Sequence, residues 1–339
     1  MDRRGERSGA VADYIGVDVG GTKLAAAVLN GGGGRLGEAL VRPTRRSSRG
    51  ILDDIVGIVE RLRGPTTAAI GIGVPSIVEF ASGRIRNSNN IPLADIPLRD
   101  VLSERIGLPV YVDNDANCAA LAEAWDGDVL LCPDLVMITV GTGIGGGLVL
   151  DGRLYRGATG AAAEIGHTII GMRHSEPDDA HAAESTGKWS LEQLGAGTEL
   201  DKLARRAARA WPSGALGQQL AARGDVTGRD AVSAAAAGDT RALGVLRALG
   251  SRLGVGVANL INTFDPSEVV IGGGVSAAGD LLLDPLRESA ARFVFPGVGV
   301  SCVIRIARHG DVAGRLGSAL LARTEWERSV ATRLAAFES

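Results

Sequence analysis

Cysteine is scarce in this sequence, with only Cys118, Cys132 and Cys302 among 339 residues. No two of them form a CxxC pair, so no disulfide framework is expected and a cytoplasmic setting is the expectation. Neither sign of charge is in excess: 36 Lys and Arg face 39 Asp and Glu, a net of −3. That leaves no surplus of cations to neutralise phosphates, and nucleic acid is not an expected partner. Long apolar runs are also missing. The longest uncharged stretch, residues 135–150, is rich in glycine and too short to span a bilayer, so no membrane association is expected. The opening MDRRGERSGA lacks the apolar core of a signal peptide. With 45% hydrophobic residues, whole-chain disorder is excluded.

Glycine, by contrast, is abundant: 49 residues, about twice the usual share. They gather in clusters, which mark places where backbone comes close to a ligand. The length suits two domains at ~100–200 residues each. Residues 14–19 read as a strand ending in Gly20-Gly21-Thr22-Lys23, and residues 24–29 and 38–41 as two more, so a β-meander opens the fold. Ile51, Ile55, Ile58, Val59 and Leu62 recur at helical spacing until Gly64-Pro65. A strand at 68–74, a polar loop, a helix at 96–106, a strand at 109–112 and a helix at 115–125 complete one α/β unit with a mixed sheet.

The order then repeats. Strands at 135–140, 146–150 and 153–155 surround a glycine turn at 141–147, and residues 171–188 are polar and irregular. Helical patterns follow at 198–211, 227–237 and 239–262. A strand at 269–271, a helix from Ala277, a strand at 302–306 and a last helix from Val312 end the chain. The expected fold is therefore α/β and two-lobed, with duplicated units and a ligand cleft between them. The expected division is a flexible tail at 1–12, a smaller lobe at 13–126 plus 312–339, and a larger lobe at 127–311.

Three glycine clusters carry the chemistry. Asp18-Val-Gly-Gly-Thr-Lys23 sets a carboxylate at a strand end beside Gly20 and Gly21, whose amides can approach an anion, with Thr22 and Lys23 as side-chain donors. Asp18 suits Mg²⁺ held through water, because that ion prefers few carboxylates. A second amide-rich turn, Gly141-Thr142-Gly143, occupies the same place in the second unit. The third cluster, Gly272-Gly273-Gly274, follows a buried strand and leaves room for a ring or ribose. No Walker A sequence is present, nor GxGxxG directly after the first strand. Asp113-Asn-Asp-Ala-Asn117 follows a strand and opens a helix, as a simple cap would and as a catalytic carboxylate would; spacing does not separate the two.

Together with Glu164-Ile-Gly-His167, these segments resemble the ROK family (repressors, open reading frames and kinases), above all its glucokinase-like sugar kinases, over residues 14–325. The resemblance implies the actin-like ATPase (ribonuclease H-like) fold, ATP and Mg²⁺ as cofactors, a sugar or sugar analogue as small-molecule partner, and a homodimer. Carried over residue by residue, it makes Asp115 the catalytic base. Asn90, Asn114, Glu164, His167 and Glu192 become sugar ligands. Asp18, Gly20, Gly21, Thr22, Lys23, Gly141, Thr142 and Gly143 serve the phosphates, and Gly272 and Gly273 lie near adenosine. An N-terminal DNA-binding module, as in the family's repressors, is not expected in the thirteen residues before Tyr14.

One departure stands out. The family's CxCGxxGC motif supplies three zinc thiolates, and here those places fall on Ala183, Ser185 and Ser190. None is a usable zinc ligand, so the structural zinc is expected to be absent. His167, His174 and His181, with Asp178, are a weak basis for a substitute site. Because the zinc loop aims the sugar ligands, the expected acceptor extends beyond plain glucose to an amino sugar or a cyclitol.

Overall fold

Tyr14, Ile15, Val17 and Val19 point to both faces of Asp13–Val19 and are all buried, as suits a strand covered on both sides, and this segment forms β1 at the centre of the first sheet. The computed structural model describes residues 11–32, 34–88, 91–171 and 189–338. These fall into two compact units. The first takes the chain up to Leu131, the segment Arg156–Ala162 and the chain from Asp311 onward; the second takes Cys132–Tyr155 and Ala163–Gly310.

In the first unit β2 (Lys23–Leu29) and β3 (Leu40–Pro43) continue antiparallel from β1. α1 (Ser48–Leu62) follows, then β4 (Thr67–Val74), a hairpin of β5 (Ile77–Glu79) and β6 (Arg84–Asn87), and α2 (Leu98–Ile106). Next come β7 (Val110–Asn114), α3 (Asp115–Ala124) and the short pair β8 (Trp125–Asp126) and β9 (Val129–Leu130). The sheet order is β3-β2-β1-β4-β7, with β1, β4 and β7 parallel. α1 begins where Ser47 accepts the Gly50 amide, a standard N-cap. Its Ile51, Ile55, Ile58 and Val59 are wholly buried, each stabilising the unit by ~1.5–3 kcal/mol.

The second unit repeats the plan. β10 (Leu135–Val140), β11 (Ile144–Leu150) and β12 (Arg153–Leu154) are antiparallel neighbours. Helices α4 (Leu191–Gly195), α5 (Gly197–Ala210), α6 (Ala215–Arg223), α7 (Gly228–Ala236) and α8 (Thr240–Phe264) precede β13 (Glu268–Gly272), α9 (Asp280–Phe293) and β14 (Val303–Ile306). The order β12-β11-β10-β13-β14 matches the first sheet strand for strand, with β10, β13 and β14 parallel. The last helix, α10 (Ala313–Glu338), belongs to the first unit. It lies backbone to backbone on β1, β4 and α3, because a side chain on Gly16, Gly71 or Gly317 would collide with the main chain opposite.

Several details differ from the sequence reading. The polar loop after β4 contains the β5–β6 hairpin, and α4, α6 and the β8–β9 pair were not expected. These pieces are too short or too evenly polar to carry a periodic signal. β11 begins earlier than the expected 146–150, at Ile144, so Gly145 is a strand residue with Gly146 and Gly147, paired with Thr139, Ile138 and Met137, and the glycine turn is shorter than 141–147. The helix from Ala277 is a 3-10 turn over Gly274–Ala278 followed by α9, interrupted at Gly279 with φ +57°. Among the described residues no helix is long and apolar enough to cross a membrane.

Candidate active site

Register brings the acidic residues of the first unit into one row. Asp18 on β1 pairs with Gly73 on β4, and Gly73 pairs with Asp113 on β7. Asn114 and Asp115 follow immediately, at the carboxyl end of β7, where open α/β sheets bind ligands. Asn114 caps α3 by accepting the Ala116 and Asn117 amides at 2.8 and 3.3 Å. Its side-chain amide donates to the Ser76 carbonyl at 3.3 Å. Asp115 is the first helical residue and accepts the Ala116 amide at 2.8 Å. The cap and the candidate base are thus adjacent residues of one turn.

A buried ion pair holds that turn. Asp113 receives the Arg156 guanidinium at 2.6 Å, and its other oxygen accepts the Asn114 amide and the Asn117 side chain, both at 2.8 Å. Arg156 also reaches Glu325 of α10 at 3.0 Å and lies over the Phe80 ring at 3.5 Å. Nothing in the sequence marked Arg156, which arrives from the short Arg156–Ala162 excursion.

At the end of β1 the first glycine turn closes on itself. Gly20 donates its amide to the Lys23 carbonyl at 2.9 Å, so that amide is not available to an anion; among the described residues no group accepts from Gly21 or Thr22. Gly21, Thr22 and Lys23 are exposed. Thr44, the residue after β3, pins the turn, its hydroxyl donating to the Gly20 carbonyl at 2.7 Å and its amide to the Thr22 carbonyl at 3.0 Å. Asp18 packs on the first turn of α10, where a Cβ on Gly314 would lie 2.5 Å from its carboxylate. Burial pushes the Asp18 carboxyl above its ordinary value, partly offset by the Lys23 and Arg315 cations. A carboxyl in that condition gains from a cation beside it, which fits the expected Mg²⁺ contact.

The second turn is built differently. Gly141 donates to the Gly143 carbonyl at 2.9 Å, while its own carbonyl accepts the Gly197 amide at 2.8 Å. Among the described residues the Thr142 and Gly143 amides have no acceptor. Glu192, expected to bind sugar, sends Oε2 to the Ile144 amide at 2.8 Å. Glu164 precedes and His167 ends the 3-10 turn Ile165–His167, with half or more of each side chain exposed, 3.9 Å apart at their nearest atoms. That turn seats on β11 at glycine contacts: a Cβ on Gly146 would lie 2.5 Å from the Ala163 carbonyl, and one on Gly166 would strike the Ile144 carbonyl. Backbone bonds from Leu191 to Thr168 (2.8 Å) and from Ile170 to Trp189 (3.0 Å) join it to the start of α4. Ser190, at a motif thiolate position, caps α4 by accepting the Gln193 amide.

Beside this turn a cavity of about 600 Å³ is lined by Thr142, Thr198, Asp201, Arg229, Ser233 and Gly274, among others. It opens among the N-terminal turns of α5 and α7, where amides attract anions. Of these, Thr142 and Gly274 belong to glycine clusters marked in the sequence; Thr198, Asp201, Arg229 and Ser233 were not singled out, since residues on two separate helices form no local motif. Gly272 and Gly273 do not line the cavity. Gly272 packs 2.5 Å (as a Cβ) from the Met137 methyl, and Gly273, at φ +82°, backs onto Val140. Asn90, His174, Asp178, His181, Ala183 and Ser185 lie outside the described residues.

Comparison with known proteins agrees with this architecture. The ROK family model matches residues 14–325. The glucokinase of Halalkalibacterium halodurans is 36% identical over 92% of this chain and 95% of its own length. That of Streptomyces coelicolor is 39% identical over 91% and 97%. A crystal structure of a ROK family glucokinase from Streptomyces griseus, in complex with glucose and AMPPNP, has a TM-score of 0.74 at 36% identity. It covers 92% of this chain and 100% of that one.

Proposed function

Because this chain belongs to the ROK family, we propose that it is an ATP-dependent sugar kinase that phosphorylates the primary hydroxyl of a glucose-like hexose or a close analogue. The observation that carries the reading is the register row Asp18–Gly73–Asp113, with Asn114 and Asp115 directly beyond it. A sugar alcohol group is a weak nucleophile at neutral pH. Asp115 accepts its proton as the oxygen approaches phosphorus, a role worth ~10²–10⁴-fold. Asn114, Glu164 and His167, together with Asn90, orient the ring so that one hydroxyl is in line. The free amides of Gly21, Thr22, Thr142 and Gly143, with Lys23, take up charge on the phosphoryl oxygens. The nucleoside occupies the cavity bordered by Thr198, Asp201 and Arg229.

Mg²⁺, when bound, supplies charge neutralisation on the phosphate oxygens, and Asp18 is the residue that would hold it. The reading includes a homodimer and a cytoplasmic setting. An ATP-consumption assay over glucose, mannose, amino sugars and cyclitols tests it. Turnover that depends on one of these acceptors and disappears in Asp115→Asn is expected. Sugar binding without ATP consumption would replace the kinase with a sugar-sensing protein.

A further inference from the structure

Glu192 reaches the donor-side turn from 48 residues away. Its Oε2 accepts the Ile144 amide at 2.8 Å, and any Cβ on Gly143 would collide with that same oxygen. A second tie comes from the same helix junction, where the Gly197 amide meets the Gly141 carbonyl; a Cβ on Gly197 would lie 2.6 Å from that oxygen. Both ends of the 141–144 turn are therefore clamped from α4 and α5, and between the clamps sit the two amides without an acceptor, those of Thr142 and Gly143. A carboxylate next to a phosphate-binding turn ought to repel the ligand. Its presence makes sense if the charge is engaged by backbone, since a hydrogen bond between a carboxylate and an N–H is stronger than a neutral one. For a side chain that served only a sugar hydroxyl, neither the Ile144 bond nor the side-chain-free Gly143 would be required.

We propose that Glu192 is a positioning residue for the nucleotide: through Oε2 it holds the 141–144 turn in the shape that offers the Thr142 and Gly143 amides to a polyphosphate. The proposal rests on the kinase reading and deepens it. It gives one carboxylate two duties, Oε2 toward the donor turn and Oε1, which meets no described donor, toward the acceptor.

The test is calorimetric titration of the full chain with a non-hydrolysable ATP analogue and Mg²⁺, with no sugar present. Glu192→Ala should bind about tenfold more weakly than wild type, the worth of one hydrogen bond to a charged group. Glu192→Gln, whose amide oxygen can still accept from Ile144, should bind as tightly as wild type or more so, because the repelling charge is gone. Gly143→Ala, which evicts the carboxylate while leaving it in the chain, should resemble Glu192→Ala and serves if that variant fails to fold. Amide exchange at Ile144 should quicken in Glu192→Ala. Unchanged or tighter nucleotide binding by Glu192→Ala would overturn the proposal, because a sugar ligand alone predicts no change and simple repulsion predicts a gain. Failure of the wild-type chain to bind nucleotide would instead defeat the kinase reading itself, and this inference with it.

Discussion

The two sheets share one strand order, yet their glycine turns are secured by opposite means. The Gly20–Lys23 turn is pinned by Thr44, the residue that follows β3 of the same sheet. The Gly141–Ile144 turn is clamped by Glu192 and Gly197, from helices that follow it by about fifty residues. The first turn carries its own charges, Asp18 and Lys23; the second has none and borrows a carboxylate. Duplication accounts for the shared backbone. What each copy inserts after its sheet hairpin decides how its turn is held.

The largest effect should come from the turn of the first unit that carries the proposed base. Asp115→Asn preserves shape but removes the basic oxygen, and kcat should fall ~10²–10⁴-fold with sugar affinity little changed, as read by ADP release and sugar titration. If kcat survives, the first unit supplies only binding groups. Next, Arg156→Met leaves Asp113 buried without its cation. Breaking such a pair costs about 3–5 kcal/mol, so thermal unfolding should show a large loss of stability. A shift within error would mean that the Asn114 cap alone holds the turn.

A smaller effect should separate the two turns directly. Gly143→Ala must displace the Glu192 carboxylate, whereas a Cβ on Gly20 would meet only the Lys23 carbonyl at 3.1 Å. Nucleotide affinity should therefore fall more for Gly143→Ala than for Gly20→Ala, and equal losses would erase the distinction between near and distant anchoring. The mildest expected change is a gain in stability. Burial raises the Asp18 carboxyl, so its protonated form favours folding; that contribution is full below the ordinary value of about 4 and is lost as pH rises through the folded value. At neutral pH the ionised carboxylate is a cost, and Asp18→Asn should melt higher than wild type. The difference should shrink in acid, and a pH-independent difference would contradict the burial argument. Activity should be lost in the same variant, a trade expected at functional sites.

Much of the candidate site could be read along the chain because it lies in short contiguous motifs. Asp18–Lys23 and Asn114–Asp115 end strands long enough to show, and Glu164–His167 is a four-residue motif around a 3-10 turn. The Arg156–Asp113–Glu325 network was hidden, since its members come from β7, a seven-residue excursion and the last helix. The helical lining of the cavity proposed for the nucleoside, Thr198, Asp201, Arg229 and Ser233, was hidden for the same reason. Gly146 was read both as the end of a glycine turn and as the start of a strand, because glycine signals either conformational freedom or close approach, and the seating of the 3-10 turn on β11 shows that the second applies.

Composition and periodicity were enough to establish two α/β units, because an element's burial pattern is written in consecutive residues at a period of about two or 3.6. The glycine runs likewise announced where backbone had to come near something. Which amides each turn leaves open, which carboxylate clamps it and which cation neutralises Asp113 depended on contacts between distant segments. Such contacts obey distance and burial, not spacing along the chain, and so they emerge only once the chain has folded.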